Sequence, residues 1–125
     1  MSGSRGILIA VSDLTEIRDS ARAFIADREW ERFQDPKSVL LALVGEVGEL
    51  AELLQWLPAA EARGLVREEP LHGRVSEELA DVLVYLVGLA DQCGVDLGKV
   101  ALDKIERSSI KHPVDTSRGV APSKI

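Results

Sequence analysis

Apolar positions along this chain recur at three- and four-residue intervals, the period of helices that each bury one side. Ile17, Ala21, Phe24 and Ile25 form one such stripe, and the first helix is read from about Asp13 to Arg32. Asp13 with Glu16 gives it a box-like N-terminal signal. Asp35 followed by Pro36 opens a second helix, since an aspartate can cap and a proline suits the first helical position. It is expected to run to about Leu57 and to stop at Pro58. Residues 58 to 73 read as a linker with a short helix near Ala59 to Arg63. A third helix, about Arg74 to Cys93, is ended by Gly94. Asp96 caps a fourth, from Leu97 to about Lys111, before Pro113. The pattern predicts an all-α fold of four-helix-bundle type in a single domain over residues 1–125. Its core spans about 13–113, and residues 1–12 and 114–125 are expected to be flexible ends.

The two middle helices carry more apolar surface than one stripe requires. Val39, Leu40, Leu41, Leu43, Val44 and Val47 already circle much of the second. Such an excess predicts a homo-oligomer in which these helices also meet another subunit. At 125 residues the chain can bury a core without disulfides. Its formal net charge of −6 and lack of a basic run argue against nucleic acid as a partner. The longest apolar run, Val82 to Ala90, is too short to span a bilayer, so no membrane association is expected. The lone cysteine, Cys93, reads as a small buried hydrophobe. A protein with one cysteine and no leader-like start is expected in the cytoplasm.

Against this background two acidic pairs stand out: Glu46 and Glu49 in GEVGELAELLQWL, and Glu78 and Asp81 in SEELADVLVYLVGLA. Burying an unpaired carboxylate among Leu, Val and Ala is costly, so such residues need a partner. Spaced i, i+3, the members of a pair lie about 60° apart around a helix. Four carboxylates converging from two helices would hold a hard divalent cation, most simply Mg²⁺. Scattered histidines and one cysteine disfavour zinc, and a di-iron bundle would want Glu-x-x-His pairs, whereas His72 and His112 are three residues from none of these four acidic residues. Glu52 lies about 120° round the helix from Glu46 and is expected to stand behind the ligands or serve as an alternate one, not as an obvious direct ligand.

Residues near these carboxylates extend the picture. Trp56 follows Glu49 by seven residues and Tyr85 follows Asp81 by four, placing both aromatics on the acidic faces if the helices continue. An aromatic ring there can be core, or can wall in a planar base. Lys104, Arg107 and Lys111 share one face of the fourth helix, either as solvated surface or as a grip on phosphate oxygens.

At these residues the chain resembles the MazG-like all-α nucleoside triphosphate pyrophosphohydrolases, most closely the dCTP pyrophosphatase branch. The segments DREWERFQDPKSVLLALVGEVGELAELLQW and EELADVLVYLVGLADQCGVDL carry the resemblance. It implies Mg-dependent hydrolysis of a deoxynucleoside triphosphate, dCTP or a modified dCTP favoured, to the monophosphate and pyrophosphate. It further implies metal ligation by Glu46, Glu49, Glu78 and Asp81, with Mn²⁺ as a substitute ion. Glu46 or Glu49 would orient the attacking water. Trp30, Trp56 and Tyr85 would form the nucleotide pocket, and Lys104, with Arg107 and Lys111 along its face, would reach the phosphates. The implied assembly is a dimer or a dimer of dimers with sites completed across subunits. Ser108 and His112, also expected at the substrate, stand where the branch usually has an asparagine and an aromatic residue, so base and sugar preference are less defined. Alternatives are the same chemistry on dUTP or another triphosphate, and a non-catalytic helical module that binds nucleotide.

Overall fold

A computed structural model describes residues 2–122, those before Asp13 by backbone alone. Six α-helices follow one another: α1 (Ser2–Asp27), α2 (Pro36–Leu54), α3 (Ala59–Leu65), α4 (Leu71–Gln92), α5 (Leu97–Lys111) and α6 (Val114–Ser117). A 3₁₀ turn over Glu31–Phe33 precedes α2, and the described residues contain no strand. The all-α expectation is therefore met. No described helix is long and apolar enough to cross a membrane.

The helix ends explain where the sequence reading missed its boundaries. The first helix starts ahead of Asp13, at Ser2, so Asp13 and Glu16 lie inside it rather than at its cap. It stops at Asp27, five residues before the expected Arg32. There the Trp30 amide donates to the Ile25 carbonyl (3.0 Å) and the Glu29 amide to the Ala26 carbonyl (3.0 Å). With Glu29 left-handed at φ 53°, this is the Schellman arrangement, and it turns the chain sharply so that Trp30 folds back toward Ile25.

Asp35 caps α2 as expected: its carboxylate accepts from the Ser38 amide at 2.9 Å and from the Ser38 hydroxyl at 2.6 Å. These contacts hold the Asp35 carboxyl below the usual carboxylate range, the Ser38 hydroxyl contributing most. At the other end Pro58 has no N–H to give the Leu54 carbonyl, so α2 finishes at Leu54 and a Leu57-to-Leu54 bond of 3.1 Å tightens the exit. Helix α4 begins at Leu71, ahead of the expected Arg74, and ends where Gly94 adopts φ 67°.

The chain divides into two compact units, Met1–Gly94 and Val95–Ile125. In the first, α4 is the shared element, with α2 and α1 packed against it. Only Val39, Val87 and Ala90 among the described apolar side chains are buried. In the second unit, Asp96 caps α5 through the Lys99 amide (3.2 Å), and α6 forms one turn after Pro113, inside the tail expected to be flexible. Residues 123–125 of that tail lie outside the described residues.

Candidate functional site

Helices α2 and α4 bring three carboxylates together. One oxygen from each of Glu46, Glu49 and Glu78 lies within 4.8 Å of the other two. Glu46 and Glu49 share a face of α2 because they are three residues apart, and the packing of α4 on α2 sets Glu78 opposite them. Oxygens that bind one divalent cation at about 2.0–2.6 Å are at most roughly 5 Å from each other, so the spacing fits such an ion. The donor chemistry fits as well. Glu46 Oε2 and Glu78 Oε2 are both buried with no hydrogen-bond partner among the described residues, an arrangement that wants a cation.

Crowding sets the charge state of this group. The adjoining Glu46 carboxyl, loss of water around the side chain, and the negative charge of Glu49 push Glu78 up to about 7 from an ordinary 4.5. Near neutrality the three carboxyls therefore hold a proton that a cation would displace.

On one side of the cluster is a recess of about 270 Å³, lined by Glu49, Glu52, Leu53, Arg74, Glu77 and Glu78. Glu52 is thus beside the cluster, consistent with its expected secondary place. Arg74 was not anticipated. It precedes Glu78 by one helical turn and forms no ion pair among the described residues, although carboxylates share its recess.

Asp81 is not one of the three clustered carboxylates. Three residues beyond Glu78, it lines a cavity of about 340 Å³ together with Phe24, Ile25, Trp30, Gln34, Val39, Val84 and Tyr85. Trp30 meets Phe24 edge to face at 5.9 Å between ring centres, and the Arg28 guanidinium covers the Phe24 ring at 3.7 Å. The cavity therefore has an aromatic wall made by the turn after α1 and a second wall made by α4. One helical turn of α4 separates it from the acidic cluster.

Trp30 and Tyr85 are brought together; Trp56 is not. It lies beyond the end of α2, 85% exposed, and lines neither the acidic recess nor the aromatic cavity. The helix-face argument for Trp56 fails because Pro58 ends α2 before that residue is reached.

A second cavity, about 290 Å³, adjoins the aromatic one and shares Ala21, Ile25, Gln34 and Gly88 with it. Its wall includes an ion pair between Arg22 on α1 and Asp91 on α4, with Arg22 Nε donating to Asp91 at 2.7 Å and a second, shorter contact from Nη2. The bond from Arg22 lowers the Asp91 carboxyl, and the same bond raises the Arg22 guanidinium.

The second unit carries Lys104, Arg107, Ser108, Lys111 and His112 on or at the end of α5. The three cations are exposed and form no ion pair among the described residues. Among the described residues, Ser108 is buried with an unpartnered hydroxyl, and one turn on His112 Nε2 is likewise buried without a partner.

The chain is similar to several known proteins. Residues 34–114 match the MazG nucleotide pyrophosphohydrolase domain. The chain is 46% identical over 108 residues to dCTP pyrophosphatase 1 of Rattus norvegicus, covering 86% of this chain and 64% of that one. For dCTP pyrophosphatase 1 of Homo sapiens the identity is 44% over 105 residues, covering 84% and 62%. The chain thus spans just under two thirds of the length of these relatives. The crystal structure of a pyrophosphatase from Archaeoglobus fulgidus superposes with a TM-score of 0.73 at 31% identity, covering 81% of this chain and 93% of that one.

Proposed function

The chain belongs to the MazG nucleotide pyrophosphohydrolase family, and we propose that it hydrolyses dCTP, or a modified dCTP, to the monophosphate and pyrophosphate, clearing the nucleotide from the pool. The observation that carries this reading is the meeting of Glu46, Glu49 and Glu78 oxygens within 4.8 Å, one helical turn from an aromatic cavity.

A triphosphate carries about four negative charges near neutral pH and would be repelled by three carboxylates alone. Mg²⁺, with Mn²⁺ as a substitute, would be held by Glu46, Glu49 and Glu78, joined by Asp81 from the next turn of α4. When bound, it supplies positive charge at the phosphoryl oxygens and makes water more acidic. The protein's own side chains do the rest. Trp30 and Tyr85 hold the base, and the distance of one turn along α4 sets the α-phosphate near Glu46 and Glu49. One of these two carboxylates orients the attacking water and accepts its proton while pyrophosphate leaves in line. Arg74, in the acidic recess, offers a guanidinium to the outer phosphates, and Lys104, Arg107, Lys111, Ser108 and His112 keep the substrate-binding roles implied by resemblance.

The working form is proposed to be a homo-oligomer. Leu41 (62% exposed), Val44 (58%), Leu79 (51%) and Trp56 (85%) are large apolar residues left open on a single chain. A solution mass of two or four chains supports this; a monomer at working concentration refutes it.

The decisive assay is a panel of deoxynucleoside and ribonucleoside triphosphates with Mg²⁺, read by separate detection of pyrophosphate and orthophosphate. Pyrophosphate with dCMP is expected. Orthophosphate as the product, or unchanged turnover in Glu46→Gln, would overturn the mechanism.

A further inference from the structure

We propose that Gln34 reads the base: its carboxamide contacts the hydrogen-bonding edge of a pyrimidine held in the Trp30–Tyr85 cavity and, by turning over, pairs with amino and keto bases alike. This rests on the nucleotide-site reading above and adds to it the side chain that pairs with the base.

Three observations single out this residue. Gln34 is the only polar side chain that lines both the aromatic cavity and the adjoining one, so its amide stands at their junction. That amide makes no hydrogen bond among the described residues, although the side chain is half-buried. Its backbone, by contrast, is pinned on both sides. The Gln34 amide donates to the Glu31 carbonyl at 3.0 Å, and the next residue is the cap of α2. A fixed backbone carrying a free planar donor–acceptor pair beside an aromatic wall is suited to recognising a flat ligand edge.

The other polar groups of the cavity cannot make that pairing. The Trp30 indole only donates, an ionised Asp81 only accepts, and Tyr85 offers a single hydroxyl. Cytosine presents an amine donor beside a ring-nitrogen acceptor; uracil presents the reverse. A carboxamide matches either after a half-turn about its last bond. Gln34 therefore accommodates both pyrimidine classes, whereas a carboxylate at the same place only accepts and would face an unmatched acceptor on either edge, the ring nitrogen of cytosine or the carbonyl of uracil.

The test compares kcat/KM for dCTP and dUTP in the full chain with Mg²⁺, for wild type, Gln34→Glu, Gln34→Ala and Trp30→Ala. Gln34→Glu is expected to raise KM for both at least about tenfold, since its carboxylate meets an acceptor on either edge. Gln34→Ala is expected to raise KM for both by at least about fivefold. KM unchanged in the Gln34 variants, with KM raised in Trp30→Ala, overturns the role of Gln34 and leaves the cavity reading intact. An unchanged KM in Trp30→Ala as well removes the base from this cavity, and the proposal falls with it. If Gln34→Glu does not fold, the KM of Gln34→Ala decides alone: unchanged for both nucleotides, it overturns the proposal.

Discussion

Glu78 makes the acidic cluster sensitive to pH in a way that can be measured without turnover. Its carboxyl titrates near 7 because Glu46 and Glu49 crowd it. A cation entering the cluster must displace that proton, so its apparent affinity falls by a factor of 1 + 10^(pKa − pH). At pH 8 this factor is close to one, and at pH 5.5 it is about thirty. Calorimetric titration of Mg²⁺ into the nucleotide-free protein should therefore show a Kd about thirtyfold weaker at the lower pH. Repeating it in two buffers of different ionisation enthalpy counts the proton released: about one at pH 5.5, and little at pH 8.

Glu78→Gln isolates the cause. The amide cannot titrate, so binding should be weaker overall but nearly level across the same range. A wild-type Kd that does not change with pH, or an equally steep dependence in Glu78→Gln, refutes the assignment of the proton to this side chain. Without a cation the same group affects stability with the opposite preference. Between 4.5 and about 7 the folded protein keeps a proton that the unfolded chain has released. Stability of the metal-free protein should thus fall as pH rises through this window and level off above it. Added Mg²⁺ should raise the melting temperature more at pH 8 than at pH 5.5.

Glu46→Gln should lower kcat by at least about a hundredfold, in pyrophosphate release assays, while leaving the far-ultraviolet spectrum unchanged. Glu29→Gly should stabilise the fold by about 1 kcal/mol in urea unfolding, because glycine adopts the left-handed backbone at this helix end without a Cβ clash. An unaltered midpoint would show that Glu29 is unstrained. Leu41→Glu, on the open face of α2, should reduce the mass seen by light scattering toward one chain; an unchanged oligomer would place the interface elsewhere.

Much of the chemistry was legible in the sequence because it breaks a rule. Glu46, Glu49 and Glu78 stand out as charges inside apolar helices, and the i, i+3 interval puts the first two on one face without knowledge of the fold. Helices α2, α4 and α5 were legible for a similar reason: Asp35, Gly94, Asp96 and Pro113 mark ends through backbone chemistry that needs no tertiary partner. Where the reading slipped, the deciding bond was a local detail that periodicity does not register. Trp56 was carried along a helix that Pro58 had already stopped, and α1 was extended through Glu29, which adopts a left-handed backbone usually given to glycine.

The same reasoning explains why selectivity is harder to read than reaction. A carboxylate in a greasy helix is costly wherever it points, so its presence alone implies a partner. Gln34 in DREWERFQDP costs nothing in a polar turn, and only the Schellman bend that brings Trp30 back onto Ile25 makes its neighbourhood aromatic. Arg74 is equally ordinary in sequence and becomes informative only when α4 sets it one turn from Glu78. Asp81 shows the boundary between the two kinds of residue. Its spacing from Glu78 pairs them, yet the turn of α4 that carries Glu78 to the acidic cluster carries Asp81 to the wall of the aromatic cavity. A nucleotide spanning these two places would have its phosphates at the costly residues and its base at the inexpensive ones. Substitutions at Glu46, Glu49 and Glu78 should therefore act on every triphosphate alike, while those at Gln34 and Trp30 should act through the base.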